Sequence, residues 1–382
     1  MHAGQEPDAA TGARALPVYQ TTSFVFPDAE TAANRFGLKE LGPIYSRLTN
    51  PTQEVVENRI ASLEGGVGAL LVSSGQAAIT LALLNVAQAG DHIVASPSLY
   101  GGTYNLLKHT LAAYGIETTF VEDFSDPEAW RAAVRPNTKA FYGETVPNPR
   151  SDVLDIEALA AVAHDSGVPL IVDNTVPTPY LIRPIEWGAD VVVQSATKYL
   201  AGHGDLLGGV VSTDDDEIAA RMTQSQLVSG AVLSPIDSYR LLQDVKTLAV
   251  RMDRQQDNAR KVIAAMEAHP AVAKVHVPGS HSEAEAEIQA RQADGPGAVF
   301  SMELAEGRDV RAFLGALRVW GFAVSLGGIE SLICLPAHMT HGAYTDEHRE
   351  AALIPEQLLR VAVGIEDAED LIADLTQALE AA

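Results

Sequence analysis

Residues 190–211 read DVVVQSATKYLAGHGDLLGGVV. Val191 to Val193 form a short apolar run of the kind that makes a buried strand, and the run opens into a polar turn carrying Ser195, Thr197 and Lys198. A lysine in that place has two readings. It is a charge turned to water at a strand end, or it is a desolvated amine in a polar pocket at the mouth of a parallel sheet, where loss of solvent makes it nucleophilic. The choice depends on what the flanking chain brings to the same edge.

Upstream, apolar strands alternate with helical patterns: GALLVSS (68–74), ITLALLNVAQ (79–88), DHIVASP (91–97), TYNLLKHTLAAYG (103–115), ETTFVED (117–123), AFYGET (140–145), DIEALAAVAHDSG (155–167), PLIVDN (169–174) and ADVVVQS (189–195). Such alternation implies right-handed crossovers and an α/β fold, its mostly parallel sheet covered by helices on both faces. Ligands of these sheets sit at the carboxyl ends of the strands. Four such ends carry polar or reactive groups: Ser74 to Gln76, Asn148, Asp173 and Lys198.

A helix is predicted from Asn50 as N-cap, with Pro51 in its first turn, Gln53 in the capping-box position, Val56, Ile60 and Leu63 on one face, and Gly65 as the stop. Before it, residues 1–50 hold no sustained period and read as an extended arm, which must rest on something. A large α/β domain is expected over 51–235. After it, LSPIDSYRLLQDVKTLAVRMDRQQDNARKVIAAMEAHP (233–270) reads as one long helix capped at Ser234, and GAVFSMEL, FAVSLGG and LLRVAVG alternate with helical segments. Residues 236–382 therefore read as a smaller α+β domain. SHSEAEAE (280–287) has the texture of a mobile acidic patch, and TDDDE (213–217) that of an acidic helix start.

Composition narrows the function. The 382 residues are 47% hydrophobic, enough for a large core, and 26 Lys plus Arg against 50 Asp plus Glu give a net charge of −24. That charge repels nucleic acid and anionic membrane surfaces. One cysteine, Cys334, excludes an intramolecular disulfide framework and fits a reducing cytoplasm; in ESLICLP it reads as a core residue. No signal-peptide pattern or membrane-length apolar run is present, so neither export nor a membrane is expected.

The strand-end residues make one set. At LLVSSGQAAIT the turn through Ser74, Gly75 and Gln76 into a helix offers free amides to an anion, or is simply a capped helix. Hydroxyls of Ser195 and Thr197 can close on the same phosphate. Asp173 ends an apolar strand, where a carboxylate must be paired: with its own turn, or with a cationic nitrogen on a cofactor. Tyr100, before Gly101 and Gly102, is a rim aromatic or a ring that stacks on a flat cofactor. Tyr45 and Arg47, two apart in the arm, offer a phenol and a guanidinium to phosphate. Arg360, inside LLRVAVG, needs an anion, either a structural carboxylate or that of a substrate. A phosphate, a protonatable ring nitrogen, a stacking face and an aldehyde for a lysine are the joint needs of pyridoxal 5′-phosphate (PLP).

Through QSATKYLAGHGD (194–205), VDNT (172–175), SSGQAA (73–78), IYSRLTNPT (44–52), SLGGIESL (325–332) and LLRVAVGIED (358–367), nearly the whole chain resembles the Cys/Met-metabolism enzymes, a fold-type I PLP family of γ-synthases, γ-lyases and O-acyl-homoserine sulfhydrylases. The first 200 residues look most like the sulfhydrylase branch. The resemblance implies that Lys198 carries the cofactor, Asp173 pairs with its ring nitrogen, Tyr100 stacks on the ring, and Ser74, Gly75, Gln76, Ser195 and Thr197 bind phosphate. It implies further that Tyr45 and Arg47 reach the phosphate of a neighbouring subunit in a dimer, usually paired into a tetramer, and that Arg360, Asn148 and the Ser325 backbone hold the substrate α-carboxylate.

The implied reaction is γ-replacement on an O-acylated homoserine: O-acetylhomoserine with sulfide or a thiol, giving homocysteine or methionine. The alternatives are γ-elimination, a specialised γ-substitution, or a catalytically silent PLP binder. Departures from the family pattern are Gln194, where His is common, and Leu335 and His338 in CLPAHMTH; the insertion usual in sulfhydrylases after GGVV is missing. No metal is expected, because His338, His341 and His348 match no ligand spacing.

Overall fold

The computed structural model describes residues 1–37, 39–40, 42–342, 349 and 354–382. Seven strands form the larger sheet: β1 (Gly68–Val72), β2 (His92–Ala95), β3 (Glu117–Phe120), β4 (Thr138–Glu144), β5 (Leu170–Asp173), β6 (Val191–Ser195) and β7 (Gly209–Thr213). Their order is β1-β7-β6-β5-β4-β2-β3. The pairs within β6-β5-β4-β2-β3 are parallel, whereas β7 runs antiparallel to both β1 and β6. The expected mostly parallel sheet is therefore present, with one reversed strand made by the GGVV segment.

Both faces of this sheet are buried, and the strands show it by alternation. Leu71, Val172 and Val192 point into one core with Val56, Ile60 and Trp130, while Leu70, Val72, Ile171, Val191 and Val193 point into the other with Ile79 and Leu83. The near-continuous apolar runs that made the strands recognisable follow from this two-sided burial.

A second sheet joins β8 (Val272–His276), β9 (Val299–Leu304), β10 (Gly321–Phe322), β11 (Leu332–Cys334) and β12 (Leu358–Ala362) in the order β10-β11-β12-β9-β8. Only β10 pairs in parallel, with β11. Its core takes Phe300, Phe313, Trp320, Val361 and Leu371.

Several local expectations change. The helix Pro51–Glu64 is capped by Asn50 and stopped by left-handed Gly65 (φ +81°), but Gln53 forms no capping box: its amide reaches Glu57 and the Leu71 carbonyl instead, tying the helix to β1. The arm is not wholly extended, since Asp28 caps a helix over Ala29–Phe36. The long helix is two, Pro235–Val245 and Leu248–Glu267. The Asp244 carbonyl accepts from Thr247 N, Thr247 Oγ1 and Arg251 Nη2, and these bonds replace the next helical turn. Leu241, Leu242, Val245, Leu248 and Met252 pack into the first core, whereas Ala259, Val262 and Met266 join the second, so the large unit runs past residue 235 into the second of these helices. SHSEAEAE is ordered: Ser282 caps the helix Glu283–Gln292. TDDDE starts the helix Asp216–Ser229 as expected, with Asp215 as its cap.

Candidate active site

Because β1, β2, β4, β5 and β6 run in one direction, their carboxyl ends share one edge, and the polar strand ends meet there. Ser74 caps the helix Gly75–Val86, its Oγ accepting from Ala77 N at 3.1 Å. A Cβ at Gly75 would fall 2.7 Å from Ser195 Cβ, and one at Gly209 would overlap the Ser74 carbonyl. Two glycines thus let the turns after β1 and β6 touch, and the helix amides abut Ser195. Thr197 Oγ1 accepts from Gly208 N at 3.1 Å, fixing the turn that carries Lys198.

Asp173 accepts from Thr175 N at 2.9 Å, and Thr175 Oγ1 accepts from Ser195 N at 2.8 Å, so β5 and β6 are linked through one threonine. The Asx turn considered from sequence is real. Burial still lifts the Asp173 carboxyl to about 6, with the Thr175 bonds pulling it down. A cation placed against it would bring it back into the carboxylate range.

Glu144, the register partner of Asp173 on β4, is a buried second carboxyl that the sequence reading passed over. Burial first, then the charge of Asp173, holds it well above the usual range. Its Oε1 accepts from Tyr100 N at 2.7 Å, and the backbone N–H of Asn148 also donates to the carboxyl. The signal was available: AFYGE ends an apolar strand in a carboxylate just as PLIVD does. Tyr100, 42% exposed, lays its ring so close to Gly102 that a Cβ there would come within 2.5 Å, with the Gln76 amide beside it.

On the opposite wall, Lys198 Nζ donates to Ser325 Oγ at 3.1 Å. Burial, and then repulsion from Arg360, lowers its ammonium to about 8. Ser325 occupies the left-handed region at φ +90°, a strained conformation for a serine, and its carbonyl accepts from Arg360 Nη2. Arg360 is 1% exposed and, among the described residues, pairs with no carboxylate; its Nε has no partner. Burial lowers its pKa. Cys334, its partner across β11 and β12, puts a thiol against the guanidinium, where burial keeps the sulfur protonated. The cysteine read as simple core thus lines the Arg360 site. Asn148 is buried with Oδ1 unpartnered, just before a cis peptide to Pro149.

Tyr45 and Arg47 are not brought to this edge. Arg47 lies over the Tyr45 ring and donates to the Leu227 carbonyl, and neither side chain has a hydrogen bond or ion pair to the strand-end residues among those described. The histidines do not converge either: His341 is buried, held down to about 4 first by desolvation, while His338 and Leu335 line a separate cleft of about 440 Å³ with Arg308 and Glu356. His348 lies outside the described residues. Gln194, within β6, is buried. Asp152, His281 and Glu285 gather their ligand atoms within 4.8 Å, but those atoms are already used. Asp152 takes Ser98 and Arg150, Glu285 takes Val153 N and His281 N, and His281 faces the Arg150 carbonyl.

The pocket therefore offers a cradle of amides and hydroxyls, a desolvated carboxyl, an exposed ring, a desolvated amine and a buried guanidinium that has no counter-ion among the described residues. These fit a flat phosphorylated aldehyde whose ring nitrogen can be protonated, with an amino-acid carboxylate beside it.

Comparison with known proteins agrees. The profile of a family described as Cys/Met metabolism PLP-dependent enzyme matches residues 1–380. The chain is 44% identical to O-acetyl-L-homoserine sulfhydrylase of Corynebacterium glutamicum, over 98% of this chain and 94% of that one. It is 45% identical to L-methionine gamma-lyase of Fusobacterium nucleatum subsp. polymorphum, over 97% and 94%. A putative O-acetylhomoserine (thiol)-lyase from Campylobacter jejuni, solved with N′-pyridoxyl-lysine 5′-monophosphate in its chain, superposes with a TM-score of 0.95 at 34% identity, over 99% of this chain and 98% of that one.

Proposed function

Since this chain belongs to the Cys/Met metabolism PLP-dependent enzyme family, we propose that it catalyses γ-replacement on an O-acylated homoserine, with sulfide or a thiol as the incoming nucleophile. One observation carries the reading: Lys198, Ser325 and Arg360 form a hydrogen-bonded chain in which a desolvated amine stands beside a buried guanidinium that, among the described residues, pairs with no carboxylate. That pairing suits an α-amino acid.

PLP, when bound, supplies an electron-withdrawing ring that stabilises negative charge at the substrate's α and β carbons. The chain's own groups do the rest. Ser74, Gly75, Gln76, Ser195 and Thr197 would hold the phosphate by amides and hydroxyls, at the positive end of the helix Gly75–Val86. Asp173 would keep a proton on the ring nitrogen, and Tyr100 would cover the ring face. Arg360, Asn148 and Ser325 orient the substrate carboxylate. Lys198 Nζ, at about 8, is partly neutral near neutral pH and can accept the Cα proton. The Tyr100 hydroxyl would assist departure of the γ-substituent.

Tyr45 and Arg47, which stand outside their own chain's pocket, are assigned to the pocket of a second copy. Val25, 96% exposed, and Phe36, 67% exposed, give the arm an apolar surface that a second chain would cover. The working unit is thus a homodimer with shared sites, paired as a tetramer. An unpaired Cys334 suits the cytoplasm.

The competing reading is γ-elimination, kept open by near-equal identity to a methionine gamma-lyase. Product analysis with O-acetylhomoserine decides between them. With sulfide, homocysteine is the expected product; 2-oxo acid and ammonia released equally with and without sulfide would assign the chain to elimination.

A further inference from the structure

The helix Leu248–Glu267 turns one polar stripe inward. Arg251, Gln255 and Asn258, at i, i+4 and i+7, share a face and are all buried. A buried stripe at this spacing is ordinarily apolar, and Met252, Ala259 and Val262 of the same helix do pack into the two cores. The three polar side chains have other partners: each donates to backbone carbonyls of a different loop.

Arg251 Nη1 donates to the Tyr199 carbonyl at 2.7 Å and Nη2 to that of Leu200 at 3.2 Å, in the turn directly after Lys198. Gln255 Nε2 donates to the Gly328 carbonyl at 2.7 Å, in the loop that carries Ser325. Asn258 Nδ2 donates to the carbonyls of Gly364 at 3.1 Å and Glu366 at 2.8 Å, just past β12, the strand of Arg360. The loops are bonded to one another in the same order, Ile329 N to the Gly202 carbonyl at 2.9 Å and Ile365 N to the Ile329 carbonyl at 2.8 Å. Two left-handed glycines allow the close approach: a Cβ on Gly202 would overlap the Arg251 guanidinium, and one on Gly327 would stand 2.7 Å from Tyr199 N.

Two series of contacts therefore run side by side. In the pocket, Lys198 bonds to Ser325 and Arg360 bonds to Ser325. Behind it, the loops that hold these three residues are anchored on successive turns of one helix, whose rise places the second and third anchors about 6 and 10 Å along the axis from the first. Lys198 belongs to the large unit and Arg360 to the smaller sheet, so a helix that enters both cores fixes the spacing between them. The amides are held there at a cost, because Gln255 Oε1 and Asn258 Oδ1 have no donor among the described residues.

We propose that Arg251, Gln255 and Asn258 are positioning residues: as three anchors on one helix face, they set the distance between the amine that handles the Cα proton and the guanidinium that holds the substrate carboxylate. Each acts through its own loop, Arg251 on Lys198, Gln255 on Ser325 and Asn258 on Arg360. The inference rests on the PLP reading of that pocket.

The test is a split between kinetic constants along the helix, counted per PLP-loaded Lys198 so that loss of folded protein does not enter. Arg251→Met should lower kcat by about 10²-fold with little change in KM for the amino acid, since a small misplacement of a reacting group costs that much. Asn258→Leu should raise that KM about tenfold with kcat held, and Gln255→Met should move both. A second readout needs no turnover: attachment of PLP to Lys198 in the apoprotein, followed by absorbance and borohydride trapping, should slow about tenfold in Arg251→Met and keep the parental rate in Asn258→Leu. Where either variant does not fold, Arg251→Lys or Asn258→Ser is read in its place, with the same split expected. Melting temperatures that fall while kcat, KM and attachment rate stay parental, or losses spread alike over both constants at every position, would overturn the proposal and leave the stripe a packing feature. A parent whose Lys198 takes no label fails the PLP reading itself, whereas a labelled parent with no split among the variants fails the helix assignment alone.

Discussion

Lys198→Ala is expected to reduce turnover by about 10⁴-fold or more while the protein keeps its fold and melting temperature. The side chain's partner is Ser325 Oγ, and among the described residues it makes no ion pair, so its removal breaks no charge balance. What disappears is the amine proposed to receive the Cα proton. The effect should fall on kcat. Near-parental activity in this variant would remove Lys198 from the chemistry. Mixing adds a test of the shared site: Arg47→Ala should lose PLP retention by itself, and hybrids of Lys198→Ala with Arg47→Ala chains should regain activity, because one pocket in each hybrid dimer would have both residues intact. No recovery in confirmed hybrids would place Arg47 in its own chain's business.

Arg360→Met should lower kcat/KM by about 10²–10³-fold, mostly through KM, in keeping with the about 2–5 kcal/mol lost when one partner of a buried charged pair is truncated. Stability should move the other way. A guanidinium that is 1% exposed and, among the described residues, pairs with no carboxylate destabilises the free protein, so the apolar replacement should leave the melting temperature unchanged or higher. A structural ion pair would behave oppositely, with the melting temperature falling by several degrees and KM held. The two readouts together decide what Arg360 is for.

The sequence carried the large sheet because its strands are buried on both faces and its helices announce their caps, as Asn50, Ser74 and Asp215 do. It carried Ser74, Asp173 and Lys198 because each is a polar group closing an apolar run. Pairing between distant strands has no such local mark. Cys334 meets Arg360 only when β11 lies against β12, and the reversed direction of β7 depends on the turn that Thr197 closes with Gly208. The break at Lys246 and Thr247 comes from Arg251 reaching back to Asp244, which helical periodicity cannot reveal. Glu144 was legible by the same rule as Asp173 and was missed because its neighbour on the sheet, not its own strand, gives it meaning. The arm is the opposite case: Tyr45 and Arg47 stand out as a pair in sequence, yet among the described residues neither bonds to the strand-end groups of its own chain.

The most direct measurement is borohydride reduction of the PLP-saturated protein followed by peptide mass mapping. The expected result is a pyridoxyl-phosphate adduct on the peptide containing Lys198, close to one per chain. An unmodified Lys198 in saturated protein, with the label on another lysine or on none, would contradict the central claim.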